Sequence, residues 1–268
     1  MVLFLHSDEN YEQMALCCIK SLTHKITDDV KIVYYTIGFD SHFEFKNLIT
    51  HRIEIDPAYP SFEYYKAKLA LLTMDLFPDD HYVYADSDVI FSRRFSFDSL
   101  KHNQSYPLAC FGPHEYIFYT DPQGEHFNEW NAMLYFNVQQ RSQRYVFSCF
   151  FSFNTSCKDF MEEWESMCSN KYLVKKGLYY YPFKDETSFN VCLCKRGATE
   201  NYGFGFVNTH VASTILDVEE GASNRHYDNA VDARGVSWEY VKDSSKVMLY
   251  HGIKDPVAMQ EALDYLLA

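Results

Sequence analysis

Apolar residues recur at two spacings along this chain, and the alternation between them lays out the fold. Val2-Leu3-Phe4-Leu5 is a continuous apolar run of strand length, and Ala15, Cys18, Ile19 and Leu22 then fall on one helical face. Ser7 stands between the two as a candidate helix N-cap. Val30 to Ile37 is rich in β-branched and aromatic residues and predicts a second strand, with Arg52 to Ile55 a shorter third. Leu69, Leu72, Met74 and Leu76 predict a helix over Tyr64 to Leu76, which Pro78-Asp79-Asp80 ends before a strand over His81 to Ala85. Further strands are expected at Leu108 to Phe111, Val146 to Phe153 and Val247 to Tyr250. Helices are expected at Cys157 to Cys168, at Glu186 to Cys194, and at Pro256 to Leu267 with its proline in the first turn. Such alternation implies an α/β fold with a mostly parallel central sheet flanked by helices. Tyr116 to Gln143 is aromatic and polar without a period, and Tyr202 to Tyr227 shows no assignable pattern.

Nothing in the composition divides the chain. Its 268 residues, 47% of them apolar, contain no low-complexity linker and no fixed-period repeat. The expectation is one domain over residues 1–268 with a loop-rich insertion around 112–145. A formal charge of -13 argues against a protein that wraps nucleic acid, which needs a basic stripe for phosphates. No apolar run approaches the roughly 20 residues of a membrane span. Val2 to Leu5 is too short for a signal-peptide core and has no basic leader. Eight cysteines show neither a disulfide framework nor zinc spacing, so buried, reduced thiols in a cytoplasmic protein are expected.

The chemistry is concentrated where the His81 to Ala85 strand runs into Asp86-Ser87-Asp88. Ligands of open parallel sheets bind at the carboxyl ends of the strands, where loops and helix N-termini converge. Two carboxylates one residue apart in a tight turn face one divalent cation, and that cation bridges a diphosphate. Oxygen donors of this kind suit Mn²⁺ or Mg²⁺. Such a pair is also common in surface turns; the apolar strand leading into this one sets it apart.

The segment Tyr82-Val-Tyr-Ala-Asp86-Ser-Asp88-Val-Ile90 resembles the strand end of GT-A glycosyltransferases. More specifically, the chain is similar to the retaining family that includes glycogenin and the lipopolysaccharide galactosyltransferases. Four landmarks around the aspartates carry this: Ser7-Asp8-Glu9-Asn10-Tyr11 with Ile19-Lys20-Ser21-Leu22, Tyr65-Lys66-Ala67-Lys68-Leu69, Asp185-Glu186-Thr187-Ser188-Phe189-Asn190, and Tyr250-His251-Gly252-Ile253-Lys254. They keep the family's order over most of the chain. The resemblance implies a GT-A fold and transfer of a hexose from a nucleotide diphosphate sugar, a UDP-sugar, to a sugar, lipid or protein acceptor with retention of configuration. It implies that Asp86, Asp88 and His251 hold Mn²⁺ or Mg²⁺. Asp8 and Tyr11 would read the uracil, with His6 and Ser7 lining the same loop, though Ser7 and Asp8 also suit helix capping. Lys66 would face the donor phosphates, with Lys68 the competing candidate. Ser87, Gly252 and Lys254 would complete the nucleotide-sugar contacts, glycine by close backbone approach and lysine by charge. Asp185 or Glu186 would act beside the anomeric carbon, with related transferases favouring Glu186.

One departure stands out at Phe147-Ser148-Cys149-Phe150, where the family has Asn-x-Gly and Cys149 takes the glycine's place. Two other classes share part of the pattern. A haloacid-dehalogenase-like phosphatase also ends an apolar strand in D-x-D, but on its first strand and with the leading Asp as nucleophile. A catalytically inactive nucleotide-sugar-binding protein would keep the site and lose turnover.

Overall fold

A computed structural model describes residues 1–23, 25–79, 81–91, 95–100, 107–111, 116–118, 137–138, 142–144, 147–169, 173–176, 179–182, 185–196, 210–212, 247–251 and 255–267. The chain divides into two compact units, one comprising Met1–Ile53, Tyr84–His102 and Asn208–Ala268, the other Glu54–Val83 and Asn103–Val207.

In the first unit β1 (Val2–Ser7) is buried along its whole length, as a strand with apolar residues on both faces must be in a covered parallel sheet. It pairs in parallel with β2 (Lys31–Ile37), Leu3 opposite Ile32 and Ser7 opposite Thr36. Next, β2 pairs in parallel with β3 (Leu48–Ile53). The third strand therefore lies earlier than the expected Arg52 to Ile55. Asn47 adopts a positive φ of 60° and donates from Nδ2 to the carbonyls of Thr27 and Val30, which sets Leu48 as the first paired residue. At the other end the Gly38 N–H bonds the Ile53 carbonyl, and Ile55 is left 71% exposed beyond the ladder.

Helix α1 (Glu12–Ser21) connects β1 to β2 and buries Met14, Ala15, Cys17, Cys18 and Ile19. It packs against α6 (Pro256–Leu267), whose Met259, Ala262 and Leu263 are buried, and Cys17 Sγ donates to Gln260 Oε1. A separate three-stranded sheet joins β12 (His210–Ala212), β13 (Val247–His251) and β5 (Val89–Phe91), with β13 antiparallel to β5. Ser21 Oγ receives the Phe91 N–H and so ties the end of α1 to β5. A short α3 (Phe97–Leu100) follows.

The second unit contains α2 (Lys66–Leu76), entered through a 3₁₀ turn at Phe62–Tyr65, and the antiparallel pair β6 (Leu108–Phe111) and β9 (Phe147–Phe153). Helices α4 (Lys158–Cys168) and α5 (Asp185–Lys195) pack on each other. Trp164, Phe151, Phe160 and Phe189 interlock at the centre, the Trp164 and Phe189 rings 4.7 Å apart and close to perpendicular. Two antiparallel pairs, β7 (Tyr116–Phe118) with β8 (Ser142–Arg144) and β10 (Leu173–Lys176) with β11 (Tyr179–Pro182), are not marked by the sequence pattern. Most of 112–145 and of Tyr202 to Tyr227 lies outside the described residues.

With β4 (Tyr82–Ala85) the main sheet runs β3-β2-β1-β4-β9-β6, an α/β arrangement flanked by helices as the alternating pattern predicts. It is parallel across β3-β2-β1 and antiparallel where β9 meets the edge strand β6. The described cysteines are buried and none is joined in a disulfide. Burial pushes the thiols of Cys17, Cys18, Cys168, Cys192 and Cys194 upward, that of Cys194 to about 12, so these five are inert packing groups. Among the described residues no helix is long and apolar enough to cross a membrane.

Candidate functional site

The carboxyl end of β1 and the turn after β4 form one polar centre within the first unit. Chain reversal at Asp86-Ser87-Asp88 is fixed by the Val89 N–H bonding the Asp86 carbonyl at 3.2 Å. Ser87 and Asp88 are buried, 6% and 8% exposed, and Asp86 is half-buried. Tyr84 Oη donates to Asp86 Oδ1 at 2.5 Å and lies 3.3 Å from His6 Nδ1, linking the aspartate to β1. Its ring also leans on the His6 ring, centroids 5.8 Å apart. Tyr84, which the structure brings against Asp86 and His6, was not singled out by the sequence reading. The signal was its place two residues before Asp86 on the same strand face.

Ser7 does not cap the helix. Its hydroxyl is buried against Tyr34 Oη at 2.7 Å, because the next residue reaches the helix start first. Asp8 is the cap: its backbone is extended and its Oδ1 accepts the Tyr11 N–H at 3.1 Å. Asp8 and Tyr11 are thus brought together at the mouth of β1, both half-buried. Burial, only partly offset by the Ser7 hydrogen bond, raises the Tyr34 phenol well above its ordinary range, with Glu12 and Asp8 adding to the shift. That hydroxyl stays neutral under this loop.

Electrostatically the centre is anionic. The fully buried Cys18 thiol is pushed well up, first by burial and then by Asp88, Cys17 and Asp86. Both aspartates therefore add negative potential at the Cys18 thiol beneath the turn. The β5–β13 ladder sets the backbone of His251 directly opposite Val89, the residue after Asp88. His251 belongs to the described backbone, its side chain does not, and Gly252 and Lys254 lie outside the described residues. Among the described residues no group of three His, Cys, Asp or Glu forms a metal cluster. The two carboxylates of this one turn are oxygen donors of the kind a hard divalent ion takes.

A second centre lies within the other unit, where α2, β9 and α5 meet. Lys66 opens α2 yet is only 6% exposed, because its ammonium is paired with Asp185 Oδ2 at 2.8 Å. Asp185 and Glu186 occupy the first turn of α5, where a carboxylate is favoured by the helix dipole. Ser148 of β9 joins all three. Its Oγ donates to Asp185 Oδ2 at 2.9 Å and accepts from Lys66 Nζ at 3.2 Å, while its N–H donates to Glu186 Oε2 at 3.1 Å. Trp164 Nε1 donates to the Asp185 carbonyl at 2.8 Å and fixes the start of the helix. Lys68, the rival of Lys66, is held elsewhere, on Asp56 at 2.7 Å and over the rings of Tyr59 and Tyr65. Cys149 is buried beside Ser148, 2% exposed.

No protein-family model and no curated protein sequence matches the chain. Solved structures do match in fold. A bifunctional glycosyltransferase, WbbM, in its apo form superposes with a TM-score of 0.57 at 14% identity over 98% of this chain and 49% of its own, so this chain spans about half of that protein. The galactosyltransferase LgtC, solved in complex with donor and acceptor sugar analogues, superposes with a TM-score of 0.54 at 13% identity over 99% of this chain and 95% of its own. At these identities the likeness is one of fold, and the fold is the GT-A fold of these glycosyltransferases.

Proposed function

We propose that this chain, built on the fold of GT-A glycosyltransferases, is a metal-dependent hexosyltransferase that uses a nucleotide diphosphate sugar, a UDP-sugar, and retains the anomeric configuration. The observation that carries the reading is the Asp86-Ser87-Asp88 turn at the carboxyl end of β4, with the His251 backbone one ladder position from Asp88. A phosphatase of the haloacid-dehalogenase kind is disfavoured, since here the D-x-D turn follows the fourth strand rather than the first.

Asp86, Asp88 and His251 would hold Mn²⁺ or Mg²⁺, which when bound neutralises the departing diphosphate as a Lewis acid. Tyr84 orients Asp86 by donating its hydroxyl proton to Oδ1. Asp8 and Tyr11, held together at the mouth of β1, would receive the uracil, with the buried His6, Ser7 and Ser87 supporting the nucleotide sugar from beneath. Asp185 is neutralised by Lys66, so Glu186 is the better carboxylate to stabilise positive charge at an anomeric carbon. In a retaining transfer the acceptor enters from the face the diphosphate leaves, so the leaving phosphate can take the acceptor proton and no dedicated side-chain base is needed. An inverting reaction would require one on the opposite face.

A donor screen tests class, base and metal together: hydrolysis of UDP-, GDP- and CMP-sugars with and without Mn²⁺. Turnover of a UDP-hexose in Mn²⁺ alone is expected, with proton NMR giving an α-linked product from an α-linked donor. Glu186→Gln should lower turnover about 10²-fold with little change in donor affinity, and Asp185→Asn should cost less. A β-linked product would overturn retention, and near-parental turnover in Glu186→Gln would remove that residue from catalysis. Cys149 in the place of a glycine supports one second reading, a protein that binds the nucleotide sugar without turning it over; UDP binding with no hydrolysis of any donor would establish it.

A further inference from the structure

Tyr34, whose hydroxyl the transferase reading does not use, meets the chain at the last residue of β1. Ser7 ends that strand and stands opposite Thr36 in the ladder, so its side chain shares a face with Tyr34 and Thr36 of β2. Tyr34 is itself the ladder partner of Leu5, two residues earlier, and its long side chain leans along the strands until Oη lies 2.7 Å from Ser7 Oγ. All three residues are 0% exposed. The hydroxyl of Thr36, although directly across from Ser7, has no partner among the described residues, so the Ser7 hydroxyl is committed to the tyrosine. Asp8 follows at once. The Tyr11 N–H bonds both its carbonyl, at 3.2 Å, and its Oδ1, at 3.1 Å, which ties Asp8 to the helical side. On the sheet side β1 has ended, and among the described residues the Ser7–Tyr34 bond is the last side-chain tie before Asp8. Burial is the largest cause of the raised Tyr34 phenol, yet the Asp8 charge adds to it, so that carboxylate and this hydroxyl share one small region.

We propose that Tyr34 is a positioning residue for base recognition: through the Ser7 hydroxyl it fixes the end of β1, and thereby the place at which Asp8 presents its carboxylate. Strand ends are where a ladder opens most readily, and Ser7 to Thr36 is the last pair of this one. A hydroxyl pair shut away from water holds that end in one arrangement, because loss of either hydroxyl leaves the other buried and unpaired. Which of the two oxygens donates does not matter to this role. Neither hydroxyl meets a ligand, since both lie wholly beneath the surface, so their effect on a nucleotide passes through Asp8. The effect on affinity rests on the reading of Asp8 as the residue that meets the base, whereas the hold on the loop stands on geometry alone.

Titration calorimetry of UDP in Mn²⁺ on the whole chain, with Tyr34→Phe, Ser7→Ala and Asp8→Ala singly and combined, reads the first effect. Tyr34→Phe and Ser7→Ala should each weaken UDP about 5-fold, and the two together no more than either alone, as members of one interacting pair do. In an Asp8→Ala background Tyr34→Phe should change the affinity less than about 1.5-fold, because the residue it acts through is gone. A general loss of packing would weaken binding equally in both backgrounds, and that result overturns the proposal. So does parental affinity in a folded Tyr34→Phe protein; where that variant does not fold, Ser7→Ala carries the same comparison. Amide exchange of the free protein, followed by NMR, reads the second effect without nucleotide. The Tyr11 N–H should exchange several-fold faster in Tyr34→Phe relative to the Ile19 N–H, which reports the stability of α1 as a whole. An unchanged ratio means that Tyr34 does not hold the loop and overturns the proposal. If the parent binds no UDP, the transferase reading fails, and the exchange ratio alone decides whether Tyr34 holds Asp8.

Discussion

Single side chains in this protein are governed by what burial leaves them to bond with. His81 is 1% exposed and neither ring nitrogen has a partner among the described residues. Burial penalises the charged imidazolium and lowers its pKa from 6.5 to about 4. The unfolded chain takes up this proton near pH 6.5 and the folded chain only near 4, so the unfolded state holds more protons in between. Stability should therefore fall as the pH drops through that window, by about 3 kcal/mol in all from this residue, with no further loss below it. Urea denaturation of the parent and of His81→Phe at pH 7 and pH 4.5 checks this: the difference between the two proteins should shrink the pH dependence in the variant. Asp8 carries two tasks at once. Asp8→Ala should cost about 1 kcal/mol through the lost cap on Tyr11 and, in addition, weaken UDP while leaving binding of Mn²⁺ alone unchanged. Calorimetry separates the two, and equal loss of UDP and metal binding would assign Asp8 to structure only.

At the scale of elements, the contacts that hold helices in place are also those that aim the acids. Helix α4 presents Phe160 and Trp164 to Phe151 of β9 and Phe189 of α5, and the same Trp164 donates to the Asp185 carbonyl. Removing it deletes a wholly buried aromatic and a helix-start hydrogen bond together. Trp164→Ala should cost about 3–5 kcal/mol by denaturant titration. Trp164→Phe should cost about 1–3 kcal/mol, mostly for the carbonyl left without its donor, and should lower turnover more than any change in UDP affinity. A Trp164→Phe protein with parental turnover would show that the first turn of α5 is positioned by packing alone. Strand β3 gives the counter-example, an element whose place is set by a turn. Asn47 at positive φ starts it at Leu48, and Asn47→Ala should destabilise through both the unfavourable φ and the lost bonds to Thr27 and Val30.

Across the whole molecule, 37 acidic side chains against 24 lysines and arginines give a field that repels a nucleotide diphosphate. A binding site for such a donor then depends on cations placed locally. After burial, the two aspartates following β4 also raise the Cys18 thiol, so the turn adds negative charge where the donor's diphosphate would need a cation. UDP affinity should therefore rise steeply with Mn²⁺, and Asp88→Ala or His251→Ala should weaken Mn·UDP about 10 to 100-fold. Titration calorimetry measures it. Parental affinity in both variants would place the metal elsewhere.

Local order is what the sequence by itself determined. The apolar runs of β1 and β4, the helical spacing of α1, α2 and α4, and the proline that opens α6 each depend on neighbours within a turn or two, so their signals survive in the linear pattern. The Asp86-Ser87-Asp88 turn and the acidic start of α5 are legible for the same reason. Tertiary structure alone decided which groups meet. Lys66 and Lys68 are indistinguishable in sequence, yet a difference of two helical positions sends the first to Asp185 and the second to Asp56. Ser148, read as the neighbour of a misplaced cysteine, lies 82 residues from Lys66 and binds it because β9 passes the first turn of α2. The short strands β5, β7, β8, β10, β11 and β12 left no pattern, since three or four residues show no period and are held as strands by partners distant in the chain. Periodicity records which face a residue turns to the core, while the identity of its partner depends on loop closures that no local pattern encodes.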